Sequence, residues 1–236
     1  IDMISKLQEK GHAYVGGDGV YFEIDTAPEK YGQLTGQTLE MVRAGAGGRV
    51  TDTGSGKRDH RDFALWKLAK PGEPFWESPW GDGRPGWHIE CSAMSTKFLG
   101  NHFDIHCGGV DNKFPHHENE LAQSVCSLGS PFVNYWLHSE FLTVEGKKMS
   151  KSLNNYYIIS DLVEKGFTYE DFRFIILSAH YRSKVNFSIK RKDEAKSAIR
   201  RIEEVRQRLL DISNEFSNTL PNEANDFKKA LMDDLD

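Results

Sequence analysis

The chain has 236 residues, 38% hydrophobic and 28% charged, with a formal net charge of -5. That length buries a substantial core in one large or two small domains, and the fractions are those of an ordinary soluble globular protein. They exclude a nucleic-acid binder recognisable by bulk charge and a membrane-spanning chain; three cysteines, Cys91, Cys107 and Cys126, with no close pair, exclude a disulfide framework and point to a reducing compartment.

In chain order, Ile1, Ile4 and Leu7 share one helical face, Gly11 is the expected stop, and the first ten residues lack the pattern of a signal peptide. Gly19 to Asp25 alternates as a strand, and loop with a short helix is expected from about Glu29 to Met41. Arg43, Arg49, Lys57, Arg58 and Arg61 interleave with Ala44-Gly-Ala-Gly-Gly and Thr53-Gly-Ser-Gly. This reads as a mobile basic surface loop rather than a phosphate cradle, because no strand leads into it and no helix follows at the right distance. Asp62 to Lys70 is a short apolar segment packed on the body. Pro71 to Trp87 reads as an irregular loop with Trp76 and Trp80 on its surface, whereas Trp87, four residues before Cys91 at the start of a helix expected over His88–Leu99, is placed to wall a small-molecule pocket.

The stretch Asp104–Glu120 carries most of the chemistry. Phe103, Ile105 and Cys107 alternate with polar neighbours as in a strand, Gly108 and Gly109 break it, and Pro115 fits the first position of a helix running through Leu121, Val125 and Leu128 to a stop at Gly129. A strand, a glycine turn and a helix put a crevice at the strand's carboxyl end, so Gly108, Gly109 and Asp111 are nucleotide candidates, the carboxylate accepting from ribose hydroxyls. His116 and Glu120 lie one turn apart on one face, a spacing that can hold a divalent metal, and Cys91 would complete a nitrogen, sulfur and oxygen set that suits zinc. The same residues also fit an ordinary turn and a solvated pair, and spacing alone leaves both readings open.

A second motif follows the strand-like run Asn134–Val144. Glu145 and Gly146 turn the chain into Lys147-Lys-Met-Ser-Lys-Ser, where lysines on a tight loop with hydroxyls between them can surround a pyrophosphate. Thr168 opens a helix with an acidic first turn and a buried stripe of Phe172, Ile175, Ile176 and Ala179. A long helix is expected from Ser188, with Ala195, Ile199, Ile202, Val205, Leu209, Ile212 and Phe216 on one side. Ten basic residues against four acids lie between Arg182 and Arg208, a balance that fits a solvated face as well as an RNA contact; from Asp211 on, seven acids face two lysines.

Lys148-Met-Ser-Lys-Ser resembles the signature loop of class I aminoacyl-tRNA synthetases. Gly83-Arg-Pro-Gly-Trp-His-Ile-Glu-Cys-Ser-Ala-Met, Gly108-Gly-Val-Asp, Phe114-Pro-His-His-Glu-Asn-Glu, Arg61-Asp-Phe-Ala-Leu-Trp-Lys and His180-Tyr-Arg-Ser resemble, in the same order, the cysteinyl-tRNA synthetase family over about Ile1 to Ser188. The resemblance implies an α/β fold: part of a Rossmann-type nucleotide-binding catalytic domain with a connective insertion and a following helical segment. It divides the chain into residues 1–85 (end of the first Rossmann half plus insertion), 86–145 (second half), 146–187 (lysine loop and stem-contact region) and 188–236 (start of a helical anticodon-stem domain).

By the same resemblance, Cys91, His116 and Glu120 are zinc ligands, Trp87 and His116 face substrate cysteine, and only one of His116 and His117 faces the metal. Gly108, Gly109 and Asp111 face adenosine; Lys148, Met149, Ser150, Lys151 and Ser152 face the ATP phosphates, Lys148 and Lys151 being catalytic. The implied enzyme is a cytoplasmic, monomeric cysteine–tRNA ligase using zinc, ATP with magnesium, L-cysteine and tRNA(Cys), without a membrane partner. It activates cysteine to cysteinyl-adenylate and acylates the terminal ribose of the tRNA. The family's His-Ile-Gly-His signature and a further zinc-binding cysteine are absent from these residues, so an internal portion of a longer enzyme, incomplete for catalysis, is expected. A cysteine ligase of the mycothiol pathway and a non-catalytic zinc or RNA-binding module are the rival readings.

Overall fold

The structure, a computed structural model, describes residues 1–27, 29, 31–37, 56–129, 131–212 and 222–233. It divides into two compact units of mixed α/β structure, Ile1–His138 and Ser139–Asp236.

The first unit opens with α1 (Asp2–Glu9), whose Ile4 and Leu7 are buried, and Gly11 follows with a left-handed φ of 76°. Strands β1 (Ala13–Val15), β2 (Gly19–Phe22), β3 (Phe63–Leu68) and β4 (Gly83–Pro85) form an antiparallel sheet in that order. The alternation expected from Gly19 is not observed. All four residues of β2 are buried and a short 3-10 turn, Ile24–Thr26, follows, because β2 is an inner strand flanked by β1 and β3. Val20 and Phe22 join Ile4, Leu7, Leu65, Trp66, Ile89 and Cys126 in one core.

Residues 43–55 of the expected basic surface loop lie outside the described residues; of the rest, the Arg58 side chain is exposed as expected and Arg61 is the exception. Arg58 donates its backbone N–H to the Tyr14 hydroxyl (2.6 Å), with its guanidinium over that ring. The Arg61 side chain is 1% exposed and forks onto Asp59 (2.9 and 2.8 Å) and Asp25 (2.8 Å). These bonds tie residues 58–61 to the sheet. Trp76 is exposed as expected, but Trp80 is not a surface residue: its indole donates to Gln8 Oε1 (2.8 Å) and its ring lies 6.1 Å from Trp66.

Beyond the sheet come α2 (Trp87–Leu99), β5 (Phe103–Gly109), α3 (Glu118–Leu128) and β6 (Val133–Ser139), with β5 paired to β6. The strand includes Gly108 and Gly109 rather than breaking at them, and only Phe103 of its apolar residues is buried; Ile105 is 55% exposed and Cys107 exposed, while His106 turns inward. Pro115 does not open α3. It lies in a wide turn, Lys113–His117, in which Phe114 is extended (φ -138°, ψ 134°), the conformation a residue before proline favours, so the helix starts later. Gly129 closes α3 in the left-handed region, as the sequence indicates.

In the second unit, β7 (Leu142–Val144) pairs antiparallel with β8 (Lys147–Lys148) and parallel with β9 (Val185–Phe187). Helices α4 (Ile159–Glu164) and α5 (Tyr169–Leu177) pack with them around Val144, Leu162, Phe167, Ile175 and Phe187. Thr168 and Asp171 cap α5 reciprocally, and Ala179 falls beyond its end. The long helix α6 (Arg191–Ile212) begins after the turn at Ser188; Ala195 is buried but Ile202, Val205 and Leu209 are 55–62% exposed, so the expected stripe packs only at its start. Phe216 lies outside the described residues, and α7 (Asn222–Met232) ends the described chain. Among the described residues no helix is long and apolar enough to cross a membrane.

Candidate metal centre and lysine loop

Glycine directs the entrance of α2. A Cβ on Gly86 would stand 2.0 Å from the Ala64 carbonyl oxygen, so only glycine lets the chain pass β3 there; His88 and Cys91 are then part-buried while Trp87 stays exposed. From the other side, His116 in the wide turn and Glu120 in the first turn of α3 face the same point. The donor atoms of Cys91, His116 and Glu120 all lie within 4.8 Å of one another, although Cys91 is far from the pair in sequence.

Both histidines of the adjacent pair are buried, and they fall in different donor sets: His116 with Cys91, His117 with His106. His116 Nε2 lies 2.8 Å from Glu120 Oε1, and His106 Nε2 lies 3.2 Å from Oε2. His117 joins His106 and Glu120 in a second set of atoms within 4.8 Å. Each inner ring is held by another imidazole: His88 Nδ1 to His116 Nδ1 and His138 Nε2 to His117 Nδ1, both 2.8 Å. Trp87 stacks on His116 with centroids 4.2 Å apart. His88, His106 and His138 were not singled out by sequence reasoning; the signal available was the density of histidines around Glu120, and no spacing rule links them.

Glu120 is fully buried, and neither of its oxygens receives an aligned hydrogen bond, nor does His106 Nε2 find one. Burial pushes the Glu120 carboxyl up, but His106 and His116 beside it override that and hold it at about 2. Burial, then the charges of Glu120 and Glu90, push the Cys91 thiol up to about 11. Burial and then the charge of His116 bring His88 down to about 4, and burial brings His117 to about 4, so both rings are neutral at pH 7. Buried donor atoms that converge on one point are what a divalent cation needs, and sulfur, imidazole and carboxylate donors fit zinc. A cation would also invert the thiol's preference for its proton.

Gly108, Gly109 and Asp111 lie at the end of β5. A Cβ on Gly108 would stand 2.6 Å from His117 Cε1, so this glycine makes room for that ring; Asp111 is exposed.

The lysine loop belongs to the second unit. Glu145 and Gly146 turn the chain with φ of 50° and 73°. Asn155 then clamps the loop, accepting from Ser150 N (2.9 Å) and donating to the Lys148 carbonyl (3.0 Å). Ser150 caps the single turn Lys151–Leu153 and its hydroxyl lies 3.2 Å from that of Ser152, while Met149 packs on the unit's core. Lys148 and Lys151 are exposed and have no ion pair among the described residues, Lys151 lying over the Tyr156 ring. Two cations on a hydrogen-bonded backbone loop can contact phosphate without first leaving a carboxylate. Asn155 is the residue missed here.

Residues 1–197 match the family model described as "tRNA synthetases class I (C) catalytic domain", so the class of this chain is a class I tRNA synthetase catalytic domain. The chain belongs to that family. Among curated relatives it is 52% identical to the cysteine–tRNA ligase of Shewanella sediminis (strain HAW-EB3), over all of this chain and 50% of that protein. It is 48% identical to the cysteine–tRNA ligase of Carboxydothermus hydrogenoformans (strain ATCC BAA-161 / DSM 6008 / Z-2901), over all of this chain and 51% of that one. The chain spans about half the length of the curated relatives it matches. Among solved structures, the ternary complex of Agrobacterium radiobacter K84 agnB2 LeuRS-tRNA-LeuAMS is 17% identical over 58% of this chain and 22% of that one, with a TM-score of 0.44, a likeness too slight to argue from.

Proposed function

We propose that the chain supplies the cysteine-selecting and phosphate-contacting part of a cysteine–tRNA ligase, with ATP, L-cysteine and a cysteine-accepting tRNA as partners, working in the cytoplasm as a monomer. The observation that carries this reading is the convergence of Cys91, His116 and the unsatisfied, fully buried Glu120 carboxylate. Zinc, when bound, supplies a Lewis acid that ionises a thiol and prefers sulfur to a hydroxyl oxygen, which rejects serine where an apolar pocket cannot. Cys91, His116 and Glu120 are the residues that would hold the metal. His88 fixes the His116 ring through Nδ1 and leaves Nε2 for the cluster, and Trp87, stacked on that ring, walls the amino-acid pocket. Gly108, Gly109 and Asp111 face the adenosine of ATP within a Rossmann-type domain. Lys148 and Lys151 neutralise charge on the departing pyrophosphate as the cysteine carboxylate attacks the α-phosphate, with Met149, Ser150 and Ser152 completing the loop. The four-part division of the chain, 1–85, 86–145, 146–187 and 188–236, is part of the same reading. Relatives named as cysteine–tRNA ligases favour it over an aminosugar ligase.

The test is a cobalt(II) titration of the chain, followed through the sulfur-to-metal absorption band while cysteine, then serine, is added. A band that grows with cysteine and not serine is expected. A tetrahedral band unaffected by cysteine would remove the selection role, and no sulfur band at all would remove Cys91 from the ligand set.

A further inference from the structure

One face of α3 is polar where a core helix is ordinarily apolar. Glu120, Gln123 and Ser124 stand at i, i+3 and i+4, on a single side of the helix, and all three are fully buried. Their polar atoms are left open in a complementary way. Both Glu120 oxygens lack an aligned hydrogen bond among the described residues, and so do two groups one turn further on, Gln123 Nε2 and Ser124 Oγ. An amide NH2 and a hydroxyl can donate, whereas an ionised carboxylate can only accept. A helical side chain leans toward the amino terminus of its helix, so those of Gln123 and Ser124 lean over the turn that carries Glu120.

The Gln123 amide is oriented from the neighbouring helix. Ser92 of α2, also fully buried, donates from Oγ to Gln123 Oε1 at 2.7 Å. That bond takes the oxygen end of the amide and leaves the NH2 end as the unbonded one. Ser92 follows Cys91 directly, and His88, one turn earlier, bonds His116 at 2.8 Å. Helix α2 thus carries Cys91 between two polar ties, one to His116 itself and one to the residue a turn beyond Glu120. A buried amide and a buried hydroxyl without partners lower stability. A helix that had only to pack would carry apolar side chains at 123 and 124, as this one does at Leu121, Ala122 and Cys126.

We propose that Gln123, oriented by Ser92, and Ser124 are positioning residues that donate to the Glu120 carboxylate and hold it as a metal ligand. A ligating carboxylate is itself hydrogen-bonded from its outer side, which fixes its rotamer and tunes its basicity, and loss of such a donor weakens metal binding. The inference rests on the reading of Glu120 as a metal ligand.

The experiment is a cobalt(II) titration of the whole chain by competition with a chromophoric chelator, with the d–d absorption recorded. It is run on Gln123→Met, Ser124→Ala and Ser92→Ala, each made both in the parent and in Glu120→Gln. Gln123→Met keeps the length of the side chain and removes its donor. In the parent it weakens cobalt binding by roughly 10–100-fold and shifts the d–d envelope, and Ser124→Ala and Ser92→Ala weaken binding by roughly tenfold. In Glu120→Gln the same three changes have less than about a twofold effect, because the group they act through is gone. Equal weakening in both backgrounds marks a purely structural contribution and overturns the proposal, as does parent-like affinity for Gln123→Met and Ser124→Ala. If near-ultraviolet circular dichroism shows Gln123→Met unfolded, Ser124→Ala, the smaller change, decides by the same comparison. Glu120→Gln alone separates the two readings. If it leaves cobalt affinity unchanged, the ligand assignment falls and this proposal with it; if it weakens binding while the Gln123 and Ser124 variants do not, only this proposal falls.

Discussion

Glu118 and Glu120 sit two residues apart on α3, both fully buried, and the structure gives them opposite tasks. The Glu118 carboxylate accepts from Gly32 N (2.9 Å), Leu34 N (3.4 Å), Thr35 N (2.9 Å) and Thr35 Oγ1 (2.8 Å), closing the loop 31–35 onto the helix. Glu118→Ala removes all four. The Gly32 amide is buried and costs about 2 kcal/mol when orphaned, whereas the part-buried donors of residues 34 and 35 regain water and cost about 0.5–1 kcal/mol each. Release of a buried charge offsets part of this, leaving a net destabilisation of about 3 kcal/mol. For a unit of this size that lowers the Tm by roughly 6–12 °C. Glu118→Gln, which keeps one acceptor, loses about half as much. The assay is thermal unfolding followed by tryptophan fluorescence, with hydrogen exchange of the Gly32 and Thr35 amides as the local readout. Glu120→Gln run alongside lowers cobalt affinity instead. A Tm for Glu118→Ala within about 2 °C of the parent, with both amides still protected, would refute the assignment of Glu118 as the latch of that loop.

His88→Ala lowers metal affinity by roughly 10–100-fold, because His116 loses the partner that orients its ring; equal affinity by competition with a chromophoric chelator argues against that role. Metal binding displaces the Cys91 proton, held up to about 11, so apparent affinity rises by about tenfold per pH unit between pH 6 and 8, while Glu120, held at about 2, adds no dependence there. A flat profile removes Cys91 from the ligand set. Gly108→Ala forces the His117 ring to move and costs about 1–3 kcal/mol in urea unfolding; a neutral effect means that the ring gives way freely. Lys151→Ala lowers the rate of ATP–pyrophosphate exchange much more than cysteine affinity, and an equal loss of both sinks its phosphate role.

The features legible in the sequence are those decided within a few residues. Ile4 and Leu7 share a face because the helical period puts them there, Gly129 ends α3 because it alone of the local residues accepts the left-handed conformation cheaply, and Thr168 with Asp171 caps α5 by direct reach. His116 and Glu120 are four residues apart and meet at 2.8 Å, but His116 lies in the wide turn before α3, so a helical period alone does not account for their meeting. The tight turn at Glu145 and Gly146 that presents the lysines is equally local.

What tertiary structure decided lies at longer separation. His88 reaches His116 across 28 residues and His138 reaches His117 across 21, so no period or spacing could single out either partner. Ile105 and Cys107 alternate with polar neighbours as a strand does, yet both are exposed and His106 faces Glu120 instead, since which side of a strand is inside depends on what packs against it. Arg61 reads as a solvated loop cation and is a buried fork between two aspartates brought from elsewhere in the chain or the same turn. Local order follows from backbone geometry and residue type, whereas the convergence of Cys91 with His116 and Glu120 requires α2 and α3 to pack, which only the fold as a whole determines.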